Sequence, residues 1–359
     1  MAKNIFISAG DISGDFHAAN LSKSIKKIDP KIIITSLGGR NLEQVSDNFL
    51  QDICCLSAFG FTAPFKHYFF LRKVFNKIKN IWKNNKPDKV ILVDFYGFNI
   101  HIAEYACRNK IPAYYYISPQ VWASRRSRIN KLAKYVKKML VILPFEEEVY
   151  KETGLDTVFV GHPLIDIIDQ NLISKQSNKE TIIGFFPGSR KSVIERHLPI
   201  LEKTAKIIKS KINAKFKIFL NNSPQNVIKS DFQIVNSDNY LERAKLTFAI
   251  TTSGTVSLEN ALLGIPMVVF YKVSWFNYWV AKLLVKVKYI TMANILLGGE
   301  LIPEFIQSRA DPQIISEKVI SMINDSEMMS KTKNELLGLR KILGNPGVSD
   351  RAAKIILEE

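Results

Sequence analysis

The sequence predicts an α/β protein of two parallel sheets in tandem, each wound with helices on both faces. Three observations carry that expectation. Short apolar, β-prone runs alternate with helical stretches from residue 4 onward, and the alternation restarts at residue 181. Between the halves, residues 170–180 are polar and rich in Ser, Asn and Lys, which reads as a linker. Several strands run directly into turns of Gly, Pro, Ser and Asp that open a helix, as in a Rossmann-like unit. The expected boundaries are 1–168 for the first Rossmann-like half, 169–180 for the linker and 181–340 for the second half. Residues 341–359 form a terminal helical segment expected to pack back on the first half or on a partner subunit.

Composition narrows the function. At 359 residues, 47% hydrophobic and 23% charged, the chain can bury a large core and is not of the disordered class. A formal net charge of +17 implies an anionic partner: nucleic acid, a phosphorylated substrate or an acidic membrane surface. Cys54, Cys55 and Cys107 have no metal-ligand spacing and make no disulfide framework, so a reducing compartment fits. The chain enters its first strand almost at once, without a charged-then-apolar leader, and no apolar run reaches the ~18 residues of a membrane span. A soluble or peripheral protein is expected.

In the first half, residues 4–8 read as a buried strand, 9–15 as a loop and 16–28 as a helix. Gly10 and Gly14 make neither GxGxxG nor a P-loop, so the loop reads either as a tight βα turn or as one that turns Asp11, Ser13, Asp15 and His17 to a cleft. Residues 31–37 form the second strand. From Lys66 to Lys89 eight Lys/Arg face one acid, Asp88, interleaved with Phe, Tyr and Trp. That pattern suits a helix on an anionic bilayer, or one that turns its aromatics inward and its lysines to water. No nucleic-acid motif accompanies it, so nucleic acid is not expected. Residues 90–93 are a fully apolar strand, which sets Asp94 at its carboxyl end as a candidate general base or a loop cap. After the strand at 113–117, the run to Lys138 holds seven Lys/Arg and no acid, led by Arg125, Arg126 and Arg128. It reads as a phosphate site or a solvated face.

In the second half, the strand at 181–186 ends in Pro187-Gly188-Ser189-Arg190 before a helix over about 192–212. The stretch from Thr247 to Lys272 organises this half: strand, Thr251-Thr252-Ser253-Gly254, helix from Thr255, Gly264 as its cap, and a strand at 267–271. A helix that starts after a buried strand points unpaired N–H groups at an anion, glycine admits a ligand to the backbone, and hydroxyls add donors. Glu259, one turn in, suits a ribose. The alternative is that Ser253 or Thr255 merely caps the helix. Trp275, Phe276, Tyr278 and Trp279 precede Lys282, Lys286 and Lys288 as a second aromatic and basic segment. Together these features describe a two-domain sugar-nucleotide glycosyltransferase with no DxD-type metal motif; epimerases of the same architecture satisfy the same reasoning.

Over nearly its full length the chain also resembles the lipid-A-disaccharide synthases. The matching stretches are SAGDISGD at 8–15, VDFYGFN at 93–99, YYISPQVWA at 115–123, LPFE at 143–146 and GHPLID at 161–166. They continue with PGSR at 187–190, SGTVSLENALLGIPMVV at 253–269 and NILLGGELIPEFIQ at 294–307. The resemblance implies a GT-B type fold, two Rossmann-like domains facing a cleft. It implies an inverting, metal-free and cofactor-free transfer from UDP-2,3-diacylglucosamine to 2,3-diacylglucosamine 1-phosphate (lipid X). It also implies a peripheral, cytoplasmic place on the inner membrane of a Gram-negative bacterium, with a homodimer left open.

By matched position, the resemblance makes Ser253, Gly254, Thr255 and Glu259 the donor nucleotide site, with Arg190 and Asn294 as phosphate or nucleotide contacts. It makes Asp94 the residue that assists deprotonation of the acceptor, with Asp15 in reserve. Ser13, Gly14, Arg125, Arg126 and Arg128 fall on the acceptor or membrane side. The chain departs from the family pattern at Asp11, where Glu is frequent, and at Gly97, where some members carry a second acid. It departs again at Val193 and Ala63, where Glu is usual. The alternative is another sugar-nucleotide enzyme of this fold, acting on a different lipid acceptor or as an epimerase.

Overall fold

The computed structural model describes residues 3–54, 64–123, 127–175, 180–221, 232–275, 278, 279, 282 and 287–358. The chain divides into two compact units, Met1–Pro163 with Leu343–Glu359, and Leu164–Ile342.

The first unit is a seven-stranded parallel sheet in the order β3-β2-β1-β4-β5-β6-β7. The strands are β1 (Asn4–Ala9), β2 (Ile33–Gly38), β3 (Asn48–Asp52), β4 (Lys89–Val93), β5 (Ala113–Tyr116), β6 (Lys138–Val141) and β7 (Asp156–Phe159). The helices are α1 (Ile12–Ile28), α2 (Arg40–Glu43), α3 (Pro64–Asn84), α4 (Tyr96–Arg108), α5 (Arg128–Tyr135) and α6 (Glu146–Lys151). The central strands β1, β4, β5 and β6 are buried along nearly their whole length, whereas the edge strands β3 and β7 are polar and only half-buried. Alternate residues of β1 serve different layers. Phe6 packs with Ile78, Trp82 and Ile102 of α3 and α4, whereas Ile5 and Ile7 pack with Leu21 and Ile25 of α1. The latter layer is completed by Ala352 and Ile356 from the terminal helix, residues 348–358.

Helix α3 divides between the two readings of its sequence. Val74, Ile78 and Trp82, four residues apart, are buried, and Trp82 meets Phe6 edge-on at 5.3 Å and stacks on Tyr105 at 5.5 Å. Each such side chain stabilises the unit by ~1.5–3 kcal/mol. Nearer its start, Tyr68 and Phe69 are 60% and 63% exposed. The preceding residues 59–63, Ala63 among them, lie outside the described residues.

The second unit is a six-stranded parallel sheet in the order β10-β9-β8-β11-β12-β13. Its strands are β8 (Thr181–Phe186), β9 (Ala214–Leu220), β10 (Gln233–Asn236), β11 (Phe248–Thr251), β12 (Met267–Tyr271) and β13 (Glu304–Ile306). A short helix α7 (Leu164–Ile167) enters it, followed by α8 (Lys191–Lys211), α9 (Tyr240–Arg243), α10 (Thr255–Leu262), α11 (Met292–Leu297), α12 (Pro312–Asn324) and α13 (Ser326–Ile342). The last helix of the chain, α14 (Val348–Glu358), belongs to the first unit. Among the described residues no helix is long and apolar enough to cross a membrane.

Candidate functional site

In a parallel sheet the strands deliver their carboxyl ends to one edge, and ligand contacts gather there. In the first unit that edge is organised around Asp94. Asp94 and Phe95 both have left-handed backbones, with φ of 43° and 47°, a costly conformation for residues with side chains. Hydrogen bonds hold it. Asn99 Nδ2 donates to the Asp94 carbonyl at 2.9 Å, and the buried Tyr115 hydroxyl donates to the same oxygen. Asn99 is itself fixed by the Ser8 hydroxyl at 2.7 Å. The turn also explains Gly10: a Cβ there would lie 2.0 Å from the Phe95 ring. So Gly10 makes room for Phe95, not for a ligand. Burial pushes the Asp94 carboxyl up to about 7, the nearby Asp11 carboxylate adds to the rise, and the Phe95 N–H opposes it.

The neighbouring acids are engaged differently. Helix α1 starts at Ile12, earlier than its sequence suggests, because Asp11 caps it by accepting from the Gly14 N–H at 2.6 Å. Ser13, Gly14 and Asp15 therefore lie in its first turn. Asp15 is 2% exposed and takes N–H bonds from Gly39 (2.6 Å), Asn41 backbone (2.9 Å), Asn41 side chain (2.9 Å) and Leu42 (3.2 Å). A carboxylate that takes four donors at the start of α2 acts as a cap, with both of its oxygens engaged. His17 is buried, and burial pushes its imidazole down to about 4. Arg128 opens α5 and its guanidinium lies 4.3 Å from the Tyr96 ring centroid. Arg125 and Arg126 lie outside the described residues.

In the second unit, β8 and β11 are neighbours with Phe186 opposite Thr251, so their exit turns leave side by side. Thr252 N–H donates to the Phe186 carbonyl at 3.1 Å. Gly254 occupies the N-cap of α10 with φ 145°, and a Cβ there would meet nothing within 4 Å. No side chain caps the start of α10, and Thr255 is exposed beside it, so its leading N–H groups are not taken up by a capping residue. Arg190 is exposed at the start of α8. Ser253 is not a spare donor, because its hydroxyl proton goes to the Ile290 carbonyl at 2.6 Å.

Two expected ligand contacts are already occupied. Glu259 pairs with Arg243 at 2.5 Å; Arg243 is 1% exposed, bonds the Ser237 hydroxyl and lies about 5 Å from the rings of Phe186 and Tyr240. Asn294 is fully buried. Its amide nitrogen donates to Ile302 O (2.8 Å) and Glu304 Oε1 (2.9 Å), and its oxygen accepts from Leu301 N (3.0 Å) and Ile302 N (2.9 Å). With all four of its hydrogen-bonding positions used, Asn294 frames the 298–304 turn and is not left to meet a phosphate.

The sequence reading missed several framing residues. Arg243 stands among solvated charges and nothing local marks it. Glu146, 1% exposed, accepts from Trp122 Nε1 and Leu143 N, both at 3.1 Å, and burial pushes it up to about 7. Only its inclusion in the LPFE match singled it out. Among the described residues no group of His, Cys, Asp and Glu suits a metal ion.

Comparison with known proteins gives a consistent picture. The family model described as lipid-A-disaccharide synthetase matches residues 5–357. The curated lipid-A-disaccharide synthase of Syntrophus aciditrophicus is 35% identical, over 99% of this chain and 97% of its own. That of Geobacter metallireducens is 33% identical at the same coverage, and that of Coxiella burnetii 30% over 99% and 98%. Among solved structures, the S. aureus MnaA–UDP co-structure has a TM-score of 0.68 at 13% identity, covering 99% of this chain and 96% of that one. Acinetobacter baumannii MurG has a TM-score of 0.64 at 13% identity, covering 99% and 100%. At such identities the structural likeness speaks for the fold alone.

Proposed function

The chain belongs to the lipid-A-disaccharide synthase family, glycosyltransferases of lipid A biosynthesis, and from that premise we propose how its residues carry out the transfer. The donor is UDP-2,3-diacylglucosamine and the acceptor is 2,3-diacylglucosamine 1-phosphate. The acceptor's 6-hydroxyl oxygen attacks the anomeric carbon of the donor. The bond from that carbon to the UDP oxygen breaks, the configuration inverts and the hydroxyl proton passes to the Asp94 carboxylate. The pair of electrons leaves with UDP. No cofactor enters this balance.

The observation that carries the reading is Asp94: a half-buried acid at a strand exit, held by a strained turn, with its carboxyl raised to about 7. A base of that strength is half ionised near neutral pH and still holds a proton well. The second unit supplies the nucleotide side. The open first turn of α10 with Gly254 and Thr255 receives the diphosphate, Arg190 offsets its charge, and the Arg243–Glu259 pair sets the orientation of the helix start.

The acylated substrates account for the exposed apolar groups. Ile12 and Phe16 at the start of α1 are 67% and 39% exposed, Tyr68 and Phe69 near the start of α3 are 60% and 63% exposed, and Trp275 and Trp279 are 61% and 54% exposed. With a net charge of +17, these groups suit a peripheral place on an anionic membrane surface.

The test is to incubate the protein with both acylated substrates in detergent and follow UDP release and disaccharide formation. Turnover is expected with no added divalent metal and in the presence of EDTA. Release of UDP without disaccharide, or formation of an epimerised UDP-sugar, would replace this reading with the epimerase one.

A further inference from the structure

His197 is a fully buried histidine of α8 that the reaction does not use. Its ring joins two strand exits. Nδ1 lies 2.9 Å from the Pro187 carbonyl, at the exit of β8. Nε2 lies 3.2 Å from the Lys272 amide and 3.0 Å from the Lys272 carbonyl, at the exit of β12. The Lys272 N–H needs an acceptor, which assigns the proton to Nδ1, where it donates to Pro187. The ring is fixed in plane by edge-on contacts to Phe270 at 4.8 Å and Tyr271 at 6.0 Å. Burial pushes its pKa down, so the neutral ring that this pattern needs is also the one the interior favours.

The position matters because of sheet order. Strand β11 lies between β8 and β12, pairing with one through Phe186–Thr251 and with the other through Val269–Thr251. The Thr252–Gly254 turn therefore leaves the sheet between the two exits that His197 ties together. On one side the tied backbone runs from Pro187 to Arg190; on the other it is Lys272, whose side chain is exposed. A backbone that exits a sheet has few partners of its own, and a 1 Å displacement at an anion site is felt strongly.

We propose that His197 is a positioning residue of the nucleotide site: by bridging Pro187 and Lys272 it sets the separation of the two cation-bearing exits that flank the start of α10. This rests on the assignment of that helix start to the donor diphosphate. Lys272 then stands opposite Arg190 as a second cation for the diphosphate.

The experiment measures UDP affinity by calorimetry, together with KM for donor and acceptor, in the full chain and three variants. His197→Phe keeps the aromatic packing and removes both hydrogen bonds. His197→Gln restores one donor and one acceptor. Lys272→Met removes the charge alone. UDP affinity is expected to fall about tenfold in His197→Phe and Lys272→Met, with acceptor KM unchanged and most of the loss recovered in His197→Gln. Unaltered UDP affinity in His197→Phe overturns the proposal. So does a uniform loss in both KM values with a lowered Tm in both His197 variants, since that describes a general packing role. If the unsubstituted protein binds no UDP, the donor assignment fails and the proposal with it. If the protein binds UDP and the variants match it, only the positioning role fails.

Discussion

The exits of β4 and β11 are both strand-to-helix turns, and they solve opposite problems. At β4 the turn is crowded: Asp94 and Phe95 are both left-handed, Phe95 fills the space over Gly10, and the half-buried carboxyl is partly desolvated. At β11 the turn is open: Gly254 takes φ 145°, a Cβ on it would meet nothing within 4 Å, and no side chain caps the start of α10. The first arrangement raises the proton affinity of an acid. The second presents backbone donors to an anion. Strain held by buried hydrogen bonds suits the former, and glycine suits the latter.

The comparison breaks most decisively at Asp94. Replacing Asp94 with Asn should lower turnover about 10³-fold and leave UDP affinity unchanged, checked by steady-state rates and calorimetry on one preparation. A residual rate near that of the unsubstituted protein would remove Asp94 from the role of base. Its raised pKa predicts a second effect. Between its ordinary value of 3.8 and about 7 the folded state holds a proton that the unfolded state has lost. Asp94 therefore lowers stability progressively as pH rises through that window. In urea unfolding Asp94→Asn should be more stable than the unsubstituted protein at pH 8, by on the order of 3 kcal/mol, and the gain should vanish near pH 4.

The next largest effect belongs to Gly10→Ala. Its methyl would overlap the Phe95 ring, so a loss of about 3 kcal/mol in urea unfolding is expected, together with slower turnover as Asp94 shifts. Asp15→Asn separates a structural acid from a reacting one. It turns a donor-saturated carboxylate into an amide facing N–H groups, which should cost about 2 kcal/mol. Below its lowered Tm, the variant should lose far less turnover than Asp94→Asn. The smallest change is Gly254→Ala, where space is free and only the backbone conformation objects. A fall in UDP affinity of about fivefold is expected with acceptor KM unaltered. A loss in acceptor KM instead would shift the function of this turn away from the nucleotide.

How much of this is legible in the sequence differs between elements. The alternation of apolar runs and helices marks the strands and most helices, because side-chain periodicity follows backbone geometry. The start of α1 lies earlier than periodicity places it, since the Asp11 cap draws Ile12, Ser13 and Gly14 into the helix and no apolar period announces it. The turns that bear Asp94, Arg190 and Gly254 are visible as breaks of Gly, Pro and polar residues after buried strands. What those side chains touch is not. Asn294 reads as a ligand contact and is a frame; Ser253 reads as a donor and spends its proton on Ile290. Helix α3 reads as either interfacial or inward-packed, and it is inward-packed at Val74, Ile78 and Trp82 with exposed aromatics at Tyr68 and Phe69.

The sequence by itself determined the α/β class, the restart of the pattern in a second half, the strand-exit turns and the family, because each is written in local periodicity or in contiguous motifs. Only the tertiary structure decided which polar side chains are free to act. Asp15 and Asp94 are both acids of the first unit, and what separates them is four N–H donors brought from residues 39–42 to one, against desolvation that outweighs a local Phe95 N–H at the other. Arg243 with Glu259, and His197 with Pro187 and Lys272, are likewise encounters between residues distant along the chain. Hydrogen-bond saturation and desolvation depend on those encounters, and they set whether a side chain holds the fold or meets a substrate.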